Sequence, residues 1–222
     1  MLDDLKYIHE QDGQDALGVA EKQWQQISYD FGVEKHPQQF DNIVFAGMGG
    51  SALAALISTS WPEVNVPFEI CRRYQIPGYV SSNTLFFESS YSGNTEETLS
   101  ALEEAGSRGA QIAVIASGGK LADIAQEKGY LLCRLPGGLQ PRYASLYSLR
   151  AIVSILEAFG LVEGKLDELQ EASEFLKKAV TAWRPDVPTK DNQAKQIAQE
   201  LMGKSVVVYS GPLLFPAAYK WK

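Results

Sequence analysis

The sequence has few residues of the kinds that bind metals or form disulfides. Its 222 residues include two cysteines and two histidines, and Cys71 and Cys133 lie far apart in apolar runs. Two separated thiols provide neither a disulfide framework nor a zinc cluster, so we predict that both are small buried side chains. His9 and His36 precede the first predicted strand, and we interpret them as surface residues. We therefore expect no metal and no cofactor.

Positive charge is also scarce, and long apolar runs are absent. Lysine and arginine total 20 against 27 aspartates and glutamates, which gives a net charge of −7. This balance excludes a broad basic surface for nucleic acid, so local geometry must hold any anionic ligand. No apolar run approaches the ~18 residues of a membrane helix, and the acidic opening MLDDLKYIHEQDG is unlike a signal peptide. We therefore expect a cytoplasmic protein with no nucleic-acid or membrane partner.

From residue 42 onward, short apolar strands alternate with helices. Such alternation is typical of an α/β protein, in which helices flank both faces of a parallel sheet. We therefore predict a five-stranded parallel sheet whose ligands bind beyond the carboxyl ends of the strands. Pro67 interrupts the second strand, which favours a bend or an edge position there. The predicted strands cover residues 42–46, 64–71, 84–89, 111–116 and 130–135.

The rest of the chain is mostly helical. An amphipathic helix is predicted over 14–31. A later helix, 143–159, is apolar over so wide an arc that we expect it to be deeply buried or paired with a partner chain. The segment SVVVYS at 205–210 predicts a buried strand. The predicted divisions are an N-terminal helical segment (1–39), the sheet domain (40–160), a helical connection (161–203) and the truncated start of a second α/β domain (204–222).

The turn after the first strand, GMGGS at 47–51, is rich in glycine. Glycines let backbone N–H groups approach a ligand closely, although a tight strand–helix connection needs them equally. Gly47, Gly49 and Ala52 also match G-x-G-x-x-A, and Glu69 follows Gly47 by about 20 residues, so a dinucleotide-binding fold is a rival interpretation. Against it, Glu69 falls inside a predicted strand rather than at its end, and the motif alone is weak evidence.

The turn after the third strand carries three serines and two threonines within SSYSGNTEET at 89–98. Hydroxyl donors, free backbone N–H groups and a helix N-terminus converge there, which favours a phosphate dianion. The turn has no lysine, so it is not a Walker loop. The alternative is a capping box with Asn94 or Thr95 as N-cap, but capping uses one hydroxyl and leaves the others unexplained. Glu96 and Glu97 then complement the helix dipole rather than act as catalytic carboxylates.

Glycine-rich turns also follow the fourth and fifth strands, in SGGK at 117–120 and PGGLQPR at 136–142. Such turns at successive strand ends shape the rim of a site. Arg142 stands at the end of the second of them, beside the mouth of the predicted sheet. It is a candidate anion clamp, and a surface salt bridge is an equal alternative for it.

These turns carry a family resemblance. The segments GMGGSALAA (47–55), SYSGNTEET (90–98), ASGGKLADIA (116–125) and PGGLQPRYA (136–144) resemble a sugar isomerase (SIS) domain. More closely, they are similar to the bifunctional phosphoglucose/phosphomannose isomerase family. The final SVVVYSGPLLFPAAYKWK (205–222) resembles that family's entry into a second SIS domain.

The resemblance implies a two-SIS-domain enzyme, commonly a homodimer, that interconverts hexose 6-phosphates through an enediolate without a metal. It also implies that the catalytic glutamate lies a few residues beyond the YKWK stretch, with a histidine and a lysine further on. Because the sequence stops at Lys222, we expect this polypeptide to bind substrate without turning it over. The substrate-binding positions implied by the resemblance are Gly50, Ser51, Ser90, Ser92, Thr95 and Arg142, with the hydroxyls on phosphate and the arginine near the sugar oxygens.

The function predicted from the sequence is therefore the sugar-phosphate-binding part of a phosphoglucose/phosphomannose isomerase. Two alternatives remain open. The first is a SIS module that senses a sugar phosphate without chemistry, and the second is a Rossmann-type nucleotide-binding domain.

Overall fold

A computed structural model describes residues 1–221. Its centre is a five-stranded sheet in which every neighbouring pair is parallel, and this confirms the predicted fold class. The strand order β2-β1-β3-β4-β5 places β2 at an edge, as the proline before it indicates. The strands are β1 (Asn42–Gly47), β2 (Phe68–Cys71), β3 (Thr84–Ser89), β4 (Gln111–Ala116) and β5 (Leu131–Arg134).

Ten helices surround the sheet within residues 1–221. Those of the sheet domain follow the predicted positions, and none of the ten is long and apolar enough to span a membrane. They are α1 (Leu5–Gln11), α2 (Ala16–Glu21), α3 (Gln23–Ile27), α4 (Ser51–Ser58), α5 (Glu96–Ser107), α6 (Gly119–Lys128), α7 (Ser145–Ala158), α8 (Lys165–Ala179), α9 (Gln193–Leu201) and α10 (Phe215–Trp221).

The side chains of the central strands alternate between two cores, which makes the domain a three-layer sandwich. On one face, Phe45 and Phe87 lie in a core with Ile152 of α7. On the other face, Phe86 and Val114 pack in a core with helices α5 and α6. Strands that are buried on both faces need apolar residues at every position, which is why they stand out in the sequence as uninterrupted apolar runs.

The apolar helix α7 is buried within one chain. Ile152, Ile155 and Leu156 have no exposed surface, because α3, α4 and α8 pack around the helix as well as the sheet. Of the two expectations for 143–159, deep burial is therefore the one that the structure confirms.

Two predictions about secondary structure are wrong. The helix expected over 14–31 is two short helices, because the backbone at Lys22 (φ −99°, ψ 4°) leaves the helical region between α2 and α3. The segment 205–210 is not a buried strand: it has no regular secondary structure and no neighbouring strand within residues 1–221. Its Val207 and Tyr209 are 67% and 90% exposed, since an apolar segment without a partner strand cannot be covered. The predicted domain divisions stay a prediction.

Candidate functional site

Four turns meet at the carboxyl edge of the sheet. We name them the β1 turn (residues 48–51), the β3 turn (90–95), the β4 turn (117–119) and the β5 turn (135–142). Parallel strands bring all of their carboxyl ends to one edge, so residues that are far apart in the chain become neighbours here. The six predicted binding residues all lie in three of these turns.

The β3 turn is organised by Ser90. This serine is 2% exposed, and its Oγ lies 2.8 Å from Thr95 Oγ1 and accepts a hydrogen bond of 3.1 Å from the Gly93 N–H. Thr95 is the N-cap residue of α5, but its side chain makes no capping hydrogen bond. The capping-box alternative therefore fails, because the hydroxyl that should cap the helix is turned to Ser90 instead. The first N–H groups of α5 keep the donor capacity of an uncapped helix start.

Ser92 is the open hydroxyl of the β3 turn. It is exposed, and the one hydrogen bond that its Oγ accepts within residues 1–221 is a long bond of 3.4 Å from the Asn94 N–H. A hydroxyl held this weakly is available to a ligand at the helix start. The turn thus offers one fixed pair of hydroxyls, Ser90 and Thr95, and one free hydroxyl beside them.

The β1 turn contacts the β3 turn and the β5 turn, which contain the other predicted binding residues. Ser51 Oγ accepts a hydrogen bond of 3.3 Å from the Tyr91 N–H, which joins it to the β3 turn. A Cβ placed on Gly50 would lie 2.9 Å from the backbone nitrogen of Arg142. Only glycine allows the β5 turn to approach this closely, so Gly50 sets the distance between the start of α4 and Arg142.

Arg142 lies on the surface beside an open cleft. Its guanidinium carbon stands 4.9 Å from the centre of the Tyr143 ring, and its Nη2 donates to the Tyr143 hydroxyl at 3.3 Å. In the part of the chain that the structure describes, Arg142 forms no salt bridge. Of its two sequence interpretations, the surface salt bridge is therefore absent. The cleft has a volume of about 470 Å³ and is lined by Gly49, Gly50, Leu53, Arg142, Tyr143, Tyr219, Lys220 and Trp221.

Comparison with curated proteins identifies relatives that are named as enzymes of phosphorylated sugars. The chain is 36% identical over 186 residues to the bifunctional phosphoglucose/phosphomannose isomerase of Caldicellulosiruptor bescii, covering 83% of this chain and 55% of the relative. It is 38% identical over 185 residues to the protein of the same name from Thermoplasma acidophilum, covering 82% and 54%. The chain thus spans about half the length of these relatives. A D-glucosamine-6-phosphate 4-epimerase of Sulfolobus acidocaldarius is 33% identical over 187 residues, covering 82% and 55%.

Solved structures agree on the fold. The C-terminal domain of glucosamine-fructose-6-phosphate aminotransferase from Francisella tularensis superposes with a TM-score of 0.67 at 16% identity, over 92% of this chain and 64% of that one. A Bacillus subtilis structure assigned to the phosphosugar isomerases superposes at 0.61 with 19% identity, over 93% and 63%. The chain has the SIS fold. Its sequence resembles the bifunctional phosphoglucose/phosphomannose isomerases, although no protein-family profile matches it.

The turns of this SIS domain are held together by Tyr91, which the sequence analysis did not select. Its carbonyl oxygen accepts from the Ser117 N–H at 3.0 Å and from Ser117 Oγ at 2.6 Å. Its hydroxyl donates to the Pro136 carbonyl and accepts from the Leu139 N–H, both at 2.8 Å. Tyr91 therefore links the β3 turn to the β4 and β5 turns. The available signal was a single large aromatic residue within a run of small hydroxyl residues.

Lys220 of α10 is a second residue that the sequence analysis missed. Its Nζ donates to the Arg142 carbonyl oxygen at 3.0 Å and to Ser145 Oγ at 3.1 Å. Burial and the neighbouring charge of Arg142 lower the pKa of this ammonium. Helix α10, which lies within the predicted segment 204–222, packs against α4 and lines the cleft.

A buried carboxyl lies just before the β3 turn. Glu88 is 0% exposed, and neither of its oxygens has a hydrogen-bond partner within residues 1–221. Burial, with a smaller effect of Cys71, raises the pKa of Glu88 well above its usual range. Burial without a hydrogen-bond partner thus favours the neutral form of this carboxyl over the ionised one.

The other residues singled out in the sequence lie where they were expected. Cys71 and Cys133 are free and buried, and both histidines are exposed. Glu69 lies within β2 and accepts a hydrogen bond of 2.6 Å from the Tyr79 hydroxyl, which occupies the acid that a dinucleotide site would need. In residues 1–221, no group of three His, Cys, Asp or Glu side chains is arranged to hold a metal ion.

Proposed function

We propose that this SIS domain binds a hexose 6-phosphate as the substrate-binding part of a phosphoglucose/phosphomannose isomerase. The observation that carries the proposal is the uncapped start of α5, where the Thr95 hydroxyl is paired with Ser90 and Ser92 stays open. Backbone N–H groups and the positive end of a helix favour a phosphate there without any lysine. The curated relatives support this choice of ligand, since two of them are named as isomerases of phosphoglucose and phosphomannose.

Under this proposal the six predicted residues form two groups, one at the phosphate end of the ligand and one at the sugar end. Ser90, Ser92 and Thr95 hold the phosphate, and Ser51 supports the β3 turn from the other side. Gly50 and Arg142 stand at the sugar end, where the guanidinium stabilises negative charge on the sugar oxygens.

The chemistry proposed for the whole enzyme is a proton transfer. A general base removes the C2 proton of an aldose phosphate, an enediolate forms, and a proton returns to C1 to give the ketose. The six residues supply donors and one cation, none of which is a base for this step. Glu96 and Glu97 lie in the first turn of α5, where their negative charges complement the positive end of the helix. We therefore propose that the polypeptide of this sequence binds without turnover, which is also what a sensing module would do.

We further propose that the protein acts in the cytoplasm as a homodimer. Its two cysteines are free and buried, as in proteins of a reducing compartment. The exposed apolar side chains of residues 206–215 supply a surface that favours association.

The test is titration calorimetry with fructose 6-phosphate. Ser92→Ala removes a hydrogen bond to a charged group, so we expect binding to weaken by about 1–3 kcal/mol. Ser100→Ala is the matched control, since Ser100 is exposed on α5 away from the turn. Equal affinities of the two variants would place the phosphate elsewhere.

A coupled isomerase assay on the same preparations tests turnover. Loss of general-base catalysis costs about 10²–10⁴-fold in rate, so we expect no conversion above buffer while binding persists. Conversion that is lost in Glu96→Gln or Glu97→Gln would assign the base to the β3 turn and refute binding without turnover.

A further inference from the structure

The contact between α10 and Arg142 is made to the main chain rather than to the side chain. Two of the three N–H donors of Lys220 are used, one on the Arg142 carbonyl oxygen and one on Ser145 Oγ. Ser145 Oγ itself also donates to the Arg142 carbonyl oxygen at 3.3 Å. Both lone pairs of that carbonyl are therefore occupied, and the lysine closes a three-membered set of hydrogen bonds at the start of α7.

The backbone of Arg142 is contacted by other elements at both its nitrogen and its carbonyl oxygen. On one side it lies against Gly50, where a Cβ would come within 2.9 Å of its nitrogen. On the other side Lys220 holds its carbonyl oxygen. The residue belongs to a single 3₁₀ turn, Pro141–Tyr143, and a turn this short has few hydrogen bonds of its own. Outside contacts therefore decide where Arg142 stands.

The electrostatics of the pair point to a role for this arrangement. Within residues 1–221, Lys220 has no carboxylate partner, and its ammonium lies in the same cleft as the Arg142 guanidinium. The Arg142 carbonyl oxygen is an acceptor with partial negative charge, and the Lys220 ammonium donates to it. Neither positive charge in the cleft is therefore paired with a carboxylate among residues 1–221. The Lys220 ammonium is bound to a main-chain carbonyl, whereas the Arg142 guanidinium donates to a side-chain hydroxyl.

We propose that Lys220 is a positioning residue: from α10 it holds the Pro141–Tyr143 turn against Gly50, so that Arg142 faces the sugar end of the ligand. The inference rests on the proposed function for the identity of the ligand. It assigns to α10 a share in the SIS-domain site, and it predicts that Lys220 acts on the sugar end while the phosphate end is unaffected.

The experiment compares two ligands on two variants. Lys220→Met removes the charge and the donors, and Lys204→Met is the control at an exposed lysine of the same C-terminal segment. We expect Lys220→Met to weaken the binding of fructose 6-phosphate about tenfold, which is the scale of a lost hydrogen bond to a charged group. The affinity for inorganic phosphate should stay unchanged. Lys220→Arg retains a cationic donor and should restore most of the affinity. An equal loss for both ligands, or no loss for either, overturns the proposal.

A double-mutant cycle separates positioning from direct contact. In an Arg142→Ala background, Lys220→Met should have no further effect on fructose 6-phosphate, because a residue that acts through Arg142 cannot act without it. A tenfold loss that persists in that background shows that Lys220 contacts the ligand itself and refutes its role as a positioning residue.

A ligand-independent measurement decides the matter if neither ligand binds the wild-type chain, an outcome that refutes the proposed function by itself. Hydrogen exchange of a peptide covering residues 139–148 should be faster in Lys220→Met than in Lys204→Met, with residues 90–98 unchanged. Unchanged exchange over 139–148 refutes the positioning role, whatever the ligands do.

Discussion

Two regions of the chain, the β3 turn and the segment 204–221, look alike in sequence and differ in structure. Both combine glycine with apolar or small residues. In the β3 turn, the chain is so closely packed that a Cβ on Gly93 would lie 1.8 Å from the Gly118 carbonyl oxygen. In the C-terminal segment, Val207 and Leu213 are 67% and 69% exposed. The difference shows that composition sets what a segment can bury, while a neighbouring element decides whether it does.

The largest effect is expected when the same change, glycine to alanine, is made once in each region. At Gly93, φ is +70° and a Cβ would overlap a backbone oxygen. At Gly211, φ is −74°, and within residues 1–221 no atom outside the adjacent residues lies within 4 Å of an added Cβ. We expect Gly93→Ala to lower the free energy of unfolding by more than about 5 kcal/mol or to prevent folding, since strain and overlap combine. Gly211→Ala should change it by less than about 0.5 kcal/mol. Urea denaturation measures both, and similar values would contradict the contrast.

A second test measures how the buried carboxyl of Glu88 changes the free energy of unfolding with pH. The pKa of this carboxyl is raised in the folded chain above its ordinary value of 4.5, so above about pH 4.5 the unfolded chain binds fewer protons than the folded chain. The free energy of unfolding should therefore fall with increasing pH, from about pH 4.5 up to the raised pKa, by about 1.4 kcal/mol per pH unit.

The matched variant for this pH dependence is Glu88→Gln, which keeps the size of the side chain and cannot ionise. Its unfolding free energy, measured by urea between about pH 5 and about pH 8, should lack the slope attributed to Glu88. Lys204→Gln, in the exposed segment, should leave the slope of the wild-type chain intact. Parallel pH profiles for wild type and Glu88→Gln would show that this carboxyl finds a partner on folding.

The smallest effect is expected on association through the C-terminal segment. Val207→Lys places a charge on the exposed apolar surface, and we expect the dissociation constant of the homodimer to rise about tenfold, which is 1.4 kcal/mol. Leu17→Lys is the control, at a 46% exposed leucine of α2. Sedimentation at several concentrations measures both, and a wild-type chain that is monomeric throughout would contradict the proposed homodimer.

The sequence predicted most of the fold for a definable reason. Strands β3 and β4 were predicted with the bounds that the structure shows, because central parallel strands are apolar throughout and end at abrupt polar turns. The edge strand β2 is shorter than predicted, since the apolar residues before Pro67 have no partner strand in the sheet. The segment 205–210 was predicted wrongly on the same apolar signal, which contains no information about a neighbour.

The site was predicted in part. The topology of a parallel sheet was enough to place the turns at one edge, and the family resemblance selected individual residues within them. Neither source pointed to Tyr91 or Lys220, because their roles depend on contacts between segments far apart in the chain. Lys220 lies 78 positions from Arg142 in sequence, and no local pattern around it indicates that it will meet a 3₁₀ turn.

The phenol ring of Tyr91 has a further consequence for which molecules fit. It is a rigid spacer, anchored in the β3 turn at its backbone and in the β5 turn at its hydroxyl. The spacing between the β3 turn and residues 136–139 is therefore set by the length of one aromatic side chain. Under the proposed function, this fixed spacing would select among compounds with the same charged group by how far they extend from it.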